Sequence, residues 1–294
     1  MDRRVIRLPL GVLIAAALFV GYLWLYGQIN AKLDEEIFHQ PRGEIPGTPT
    51  DRGLPYEDIS FPTAEGLILR GWLIPSSPDK AIVLASGYTD TRWNVLKYAP
   101  FLHQAGYTLL LFDPRGTGES DGELYAFGAY EPQDIHAAVE YLKSKNYKKI
   151  GLFGHSNGAT AALIAASQDK DILAVVADSP FANLRLAAKS AEREDLLLQL
   201  LFPLYSRVAR ARLSFDLFRR TNALRVINKV SHVLFIHGLA DDYVAPENSI
   251  LLYERASEPK ELWLVPGAKH VESLDVAPEE YARRVSEFLK RYLN

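Results

Sequence analysis

The chain contains no cysteine, which excludes disulfides, cysteine-ligated zinc and a thiol nucleophile. A basic excess is missing as well. Its 33 Lys and Arg residues stand against 36 Asp and Glu, for a formal net charge of -3, and no Lys/Arg cluster is interleaved with aromatics, so nucleic acid is excluded as a partner. There is no internal repeat and no low-complexity tract. What remains is a chain of 294 residues, 48% hydrophobic, able to bury a sizeable core and read as one globular domain with an appendage.

The appendage is at the N-terminus. Residues 8–27 form an uninterrupted apolar and small-residue stretch, about as long as a bilayer-spanning helix of roughly 20 residues. Arg3, Arg4 and Arg7 precede it, and Lys32 is followed by Asp34, Glu35 and Glu36. This asymmetry places the N-terminus in the cytoplasm and the rest of the chain across the membrane, with Tyr22, Trp24 and Tyr26 as an interfacial aromatic belt. A single-pass anchor over residues 1–30 is expected, with an extracytoplasmic domain behind it. The competing reading is a cleaved signal peptide, but the run is longer than a usual h-region and no clean Ala-x-Ala site follows. Residues 31–55 carry Pro41, Pro46, Pro49 and Pro55 without periodicity and read as a stalk.

Residues 56–294 have the pattern of an α/β domain. Strand-like residues 56–61 and 67–74 flank a turn and predict an antiparallel hairpin. Apolar runs at 81–84, 108–112, 149–153 and 172–177 then alternate with helical segments around 95–104 and along Ile135, Ala138, Val139 and Leu142, which predicts a mostly parallel sheet with helices on both faces. The alternation lapses over about 181–229, read as a short helical cap over the carboxyl ends of the strands, where ligands bind in open α/β sheets. It resumes with strands at 233–236 and 262–265 and a closing helix bearing Tyr281, Val285, Phe288 and Leu289.

The stretch with the most chemical content is Gly154-His155-Ser156-Asn157-Gly158, between the strand at 149–153 and alanine-rich residues 159–167. A strand that turns at once into a helix needs glycines on both sides of the turn, and Ser156 is left strained with its hydroxyl exposed. An alcohol is a weak nucleophile at neutral pH, so Ser156 needs a base, and the base an acid to hold its tautomer. Of seven histidines, His270 lies in the loop after the last predicted strand and is the candidate base. His155, inside the elbow, reads as packing or pocket wall. Asp241 is the candidate acid, with its neighbour Asp242 and the strand-end Asp178 as alternatives. Backbone N–H groups of Asn157 and Tyr88 are the expected oxyanion hole. Tyr88 and Trp93 are candidate pocket walls. No metal and no cofactor is required by this chemistry.

Several separate motifs together resemble the α/β-hydrolase superfamily: Ser86-Gly87-Tyr88, the segment from Asp113 to Ser120, the Ser156 elbow, Asp178-Ser179-Pro180-Phe181, His237-Gly238 with Asp241, and Gly267 with His270. The chain order Ser, Asp, His is the order of that superfamily. Within it, the short cap and N-terminal anchor resemble small membrane-tethered serine hydrolases of the serine aminopeptidase and prolyl oligopeptidase-related branch. One departure is Ser86-Gly87, where relatives usually carry His-Gly. Residues 113–120 are glycine-rich but lack a Walker lysine, and read as a structural loop beside the site. The resemblance implies hydrolysis of carboxylic esters or thioesters, from a small-molecule or lipid substrate, through an acyl-serine. The alternatives are a serine peptidase or aminopeptidase, and a tethered binding protein that keeps the fold without catalysis. The leucine-rich run at 196–202, followed by Arg207, Arg210 and Arg212, suggests either a greasy lid meeting lipid or leucines packed on the sheet with arginines facing water.

Overall fold

The computed structural model describes residues 9–38, 40–191 and 196–293, and in it the apolar runs pair into one eight-stranded sheet. The strands are β1 (Glu57–Pro62), β2 (Ile68–Ile74), β3 (Lys80–Ala85), β4 (Thr108–Phe112), β5 (Lys149–His155), β6 (Ile172–Asp178), β7 (Val233–Gly238) and β8 (Lys260–Val265). They lie in the order β1-β2-β4-β3-β5-β6-β7-β8. β2 pairs antiparallel with both β1 and β4, and every other pairing is parallel. β3, β4 and β5 are covered on both faces, which is why they read as continuous apolar runs rather than as alternating ones.

The helices are α1 (Leu10–Leu33), α2 (Arg92–Val95), α3 (Ala99–Gln104), α4 (Glu131–Ser144), α5 (Asn157–Ala166), α6 (Leu184–Ala191), α7 (Leu196–Leu213), α8 (Leu217–Arg220), α9 (Glu247–Arg255), α10 (Ser273–Val276) and α11 (Pro278–Leu293). Ile135, Ala138, Val139 and Leu142 of α4 recur at helical spacing and bury, with the alanines of α5, against one face of the sheet. Val285, Phe288 and Leu289 of α11 do the same on the other face beside Leu102 of α3. Residues 95–104 do not form the single helix expected. Pro100, which lacks an N–H to donate, opens α3 as a new helix after a 3-10 turn at Leu96–Tyr98.

The N-terminal helix is long and apolar enough to cross a membrane by length and composition. Leu10, Leu18, Val20 and Trp24 on it are exposed, while Arg3, Arg4 and Arg7 lie outside the described residues. The helix runs past its expected end to Leu33, and Ile29, Leu33 and the following Ile37 are buried against Val208, Ala209 and Leu213 of α7. Arg212 seals that contact by donating to Asp34 Oδ1 at 2.6 Å and to the Asn30 carbonyl at 3.2 Å.

Much of the segment expected as a stalk lies along the domain. Arg42 donates to the carbonyls of Ser120 and Gly122, each at 2.6 Å, and the Thr91 hydroxyl donates to the Glu44 carbonyl at 3.1 Å. Gly47 lies so close to Trp93 that a Cβ there would come within 2.8 Å of the indole. Trp93 therefore covers the lead-in, and is not among the residues lining the cleft beside Ser156. Residues 181–229, expected as a cap, hold α6, α7, α8 and 3-10 turns at Ala223–Arg225 and Ile227–Lys229. The side chains of residues 188–201, including the leucine run at 196–201, lie outside the described residues.

Candidate active site

β5 ends at His155 and α5 begins at Asn157, so Ser156 is the whole of the turn between them. Its backbone has φ 51° and ψ -121°, a region that costs a side-chain-bearing residue on the order of 1–3 kcal/mol and persists only where the surroundings enforce it. Enforcement comes from the Ser156 N–H, which donates to the Asp178 carbonyl at 2.8 Å, and from the flanking glycines. A Cβ at Gly154 would lie 2.6 Å from the Ala159 nitrogen, and one at Gly158 would collide with the carbonyl oxygens of Ala85 and Ser86. Strand, turn and helix can be this close only without those two side chains.

Loops after β7 and β8 bring two further groups to the serine. His270 Nε2 is 2.9 Å from Ser156 Oγ, and His270 Nδ1 is 2.6 Å from Asp241 Oδ2. Asp241 is itself fixed, because its Oδ1 accepts the backbone N–H groups of Tyr243 at 3.0 Å and Val244 at 2.8 Å. Its Oδ2 also lies 3.1 Å from His237 Nε2. That nitrogen is 2.8 Å from the Val244 carbonyl, which can only accept, so His237 carries its proton on Nε2 and takes the Ser249 hydroxyl at Nδ1, 2.7 Å away. Burial pushes the Asp241 carboxyl up, but hydrogen bonds from His237 and His270 and the His270 charge outweigh it and hold it at about 2. A carboxylate ionised at all working pH values leaves His270 with its proton on Nδ1 and a lone pair on Nε2 toward the serine hydroxyl.

The other acidic candidates are elsewhere. Asp178 is fully buried and accepts from the Tyr281 hydroxyl at 2.7 Å and the Ser179 hydroxyl at 3.0 Å, and Asp242 is exposed. Asp113 accepts the Arg92 guanidinium at 2.5 Å and the N–H groups of Arg92 and Glu119, so residues 113–120 are a braced structural loop.

A cleft of about 410 Å³ opens over Ser156 and His270, lined also by Tyr88, Asp90, His155 and Tyr243. The Tyr88 ring stacks on Phe127 at 4.4 Å. His155 is buried, as expected of a wall residue, and its Nε2 lies 2.8 Å from Asp90 Oδ2. Asn157 is the first residue of α5, and its N–H belongs to the unpaired first turn of a helix, where negative charge is favoured. Lys97 donates to the Val271 carbonyl at 2.9 Å and so ties down the loop that carries His270. Sequence reasoning named His237 only within the His237-Gly238 motif, without this role, and did not single out Asp90 or Lys97. The spacing of His237 and Asp241, four residues apart across one tight loop, was the available signal for the first. The other two meet their partners only through the tertiary fold.

A serine elbow at the carboxyl end of a central parallel strand, on a sheet of this order, defines an α/β-hydrolase. Within that class the chain belongs to the prolyl oligopeptidase family, whose model matches residues 93–294. It is 30% identical to the protein YqkD of Bacillus subtilis, over 97% of this chain and 96% of that one. The polyketide transferase grgF of a Penicillium species is 26% identical, over 82% of this chain and 98% of its own length. Among solved structures, the esterase Pf2001 of Pyrococcus furiosus superposes with a TM-score of 0.75 at 32% identity, covering 88% of this chain and 99% of the esterase.

Proposed function

We propose that this chain is a serine esterase in which Ser156 is the nucleophile, His270 the general base and acid, and Asp241 the group that orients His270. The observation that carries the reading is the unbroken line from Ser156 Oγ through His270 to Asp241, with contacts of 2.9 and 2.6 Å. Ser156 Oγ attacks the ester carbonyl as its proton passes to His270 Nε2. The oxyanion is taken up by the N–H groups of Tyr88 and Asn157. Collapse expels the alcohol or thiol, which receives the proton from Nε2, and water activated by the same nitrogen releases the acid and restores the serine. The likeness to a Pyrococcus esterase supports an ester substrate.

The exposed apolar α1 supports a single-pass membrane anchor, with the N-terminus cytoplasmic, the body at residues 56–294 extracytoplasmic, and residues 181–229 as its cap. Hydrolysis of nitrophenyl esters of increasing acyl length by the full-length protein in detergent tests the function. Turnover abolished by Ser156→Ala is expected, and no turnover of any ester by folded wild type would overturn it. The polyketide transferases among the relatives favour one variation, in which an acceptor alcohol or amine replaces water in the second half-reaction. Product analysis with added acceptors separates the two.

A further inference from the structure

Tyr125 lies in the irregular stretch between β4 and α4, is 1% exposed, and takes no part in the line from serine to aspartate. Its hydroxyl donates to the Gly87 carbonyl at 3.0 Å and accepts from Asn157 Nδ2 at 2.6 Å. The Gly87 carbonyl and the Tyr88 N–H are opposite ends of one planar trans peptide unit, so whatever holds the oxygen aims the N–H the other way. Asn157, at the hydroxyl's accepting side, supplies the second N–H of the proposed oxyanion hole. One buried hydroxyl thus joins the Gly87–Tyr88 peptide unit to Asn157, and each of the two carries an N–H that is to meet the oxyanion.

We infer that Tyr125 is a positioning residue for the oxyanion hole, setting the Gly87–Tyr88 peptide plane and coupling it to the first turn of α5. The inference rests on the esterase reading and on the assignment of the two N–H donors given above. A hydrogen bond received at the Gly87 oxygen also polarises that peptide unit and makes its N–H a stronger donor. The plane is held from a second side by the Asp90 N–H, which donates to the same oxygen at 3.3 Å. Tyr125 is held in its turn by its own N–H, which donates to the Ile37 carbonyl at 3.0 Å, and by its ring, which lies 5.4 Å from that of Tyr88. Burial, with the nearby carboxylates of Glu131 and Asp90, pushes the hydroxyl well above the usual tyrosine range. It remains a donor at every pH at which the protein works.

The test is Tyr125→Phe in the full-length protein, which keeps the ring and removes only the hydroxyl. Losing one oxyanion donor outright costs about 10²- to 10³-fold, so misaiming one is expected to lower kcat/KM for nitrophenyl butyrate by about 10- to 100-fold. Affinity for a phenylboronic acid, which forms a tetrahedral serine adduct, should fall by the same factor, and affinity for an unreactive ether analogue of the substrate should not change. A merely structural role would lower the melting temperature and leave both ratios alone at temperatures well below it, and that outcome overturns the inference. If Tyr125→Phe does not fold, Asn157→Ala reads the same link from its other end. Wild-type boronate affinity in that variant overturns it equally. Ser156→Ala is run alongside: residual esterase activity there sinks the esterase reading, whereas a dead Ser156→Ala beside a fully active Tyr125→Phe sinks only the role of Tyr125.

Discussion

Asp241→Asn removes one negative charge and almost no volume, and the structure dictates how the new amide must sit. If its NH₂ took the Oδ1 position it would face the N–H groups of Tyr243 and Val244, now at 3.0 and 2.8 Å. Two donors, the buried Val244 N–H and the part-buried Tyr243 N–H, would then lose their acceptor, at about 1–3 kcal/mol for the buried one and less for the other. The carbonyl oxygen therefore stays on that side, and the NH₂ is turned toward His270 Nδ1 and toward the His237 Nε2–H, which gives up its contact with Asp241 but keeps the Val244 carbonyl as acceptor. A donor at that place obliges His270 to accept at Nδ1 and to carry its proton on Nε2, where it can no longer take the proton of Ser156. The wrong tautomer in such an arrangement costs about 10⁴-fold in turnover, equivalent to about 5 kcal/mol of transition-state stabilisation.

Stability should change less than turnover. The carboxyl is lowered from 3.8 to about 2, so ionised Asp241 contributes on the order of 2 kcal/mol to folding. Because its folded value lies below its unfolded value, that contribution is present above about pH 4 and is lost as the pH falls toward 2. The assay is kcat/KM for nitrophenyl butyrate at neutral pH beside a thermal melt of the same samples. An Asn variant within tenfold of wild type, while Ser156→Ala is inactive, would refute the tautomer argument.

Three further outcomes follow from buried charge and packing. Arg115 donates to Asp134 Oδ1 from Nη2 at 2.7 Å and from Nε at 2.9 Å, with Asp134 wholly buried; Arg115→Met should destabilise by about 3–5 kcal/mol in a urea melt, and the added change Asp134→Leu should recover most of the loss. Burial pushes the Glu131 carboxyl from 4.5 up to about 7, so between those values the folded state keeps a proton that the unfolded state has released. Stability must therefore fall as pH rises from about 4.5 to 7, by up to about 3 kcal/mol, and an unchanged slope in Glu131→Gln would contradict that assignment. Removing residues 1–28 should release the protein from membranes with its esterase activity intact. Removing residues 1–38 also takes away Ile29, Leu33 and Ile37, uncovers Val208 and Leu213, and should lower the melting temperature; equal melts for the two truncations would show that this contact adds nothing.

The strands were legible because β3, β4 and β5 are buried on both faces and so announce themselves as apolar runs. The elbow was legible because Gly154 and Gly158 are required by backbone contacts within a few residues of Ser156. His270 and Asp241 could be named from the loops they occupy, each just past a strand end. What was not legible is what depends on contacts between distant, aperiodic segments. Leu33 and Ile37 continue the four-residue spacing of Ile29 for one step beyond the apolar run, and Leu54, buried in a different cluster, is connected to them by no period. Tyr125 lies in an irregular loop, and nothing near it in sequence points to Gly87 or Asn157. Trp93 read as a possible pocket wall, because only the fold reveals that Gly47 lies beneath it.

The central claim is that Ser156 is a nucleophile activated by His270. Treating the full-length protein in detergent with a fluorophosphonate probe and mapping the adduct by mass spectrometry tests it most directly. A single adduct on Ser156, absent from Ser156→Ala and strongly slowed in His270→Ala, is the predicted result. Folded wild-type protein that takes no label, or that is labelled at another residue, would contradict it.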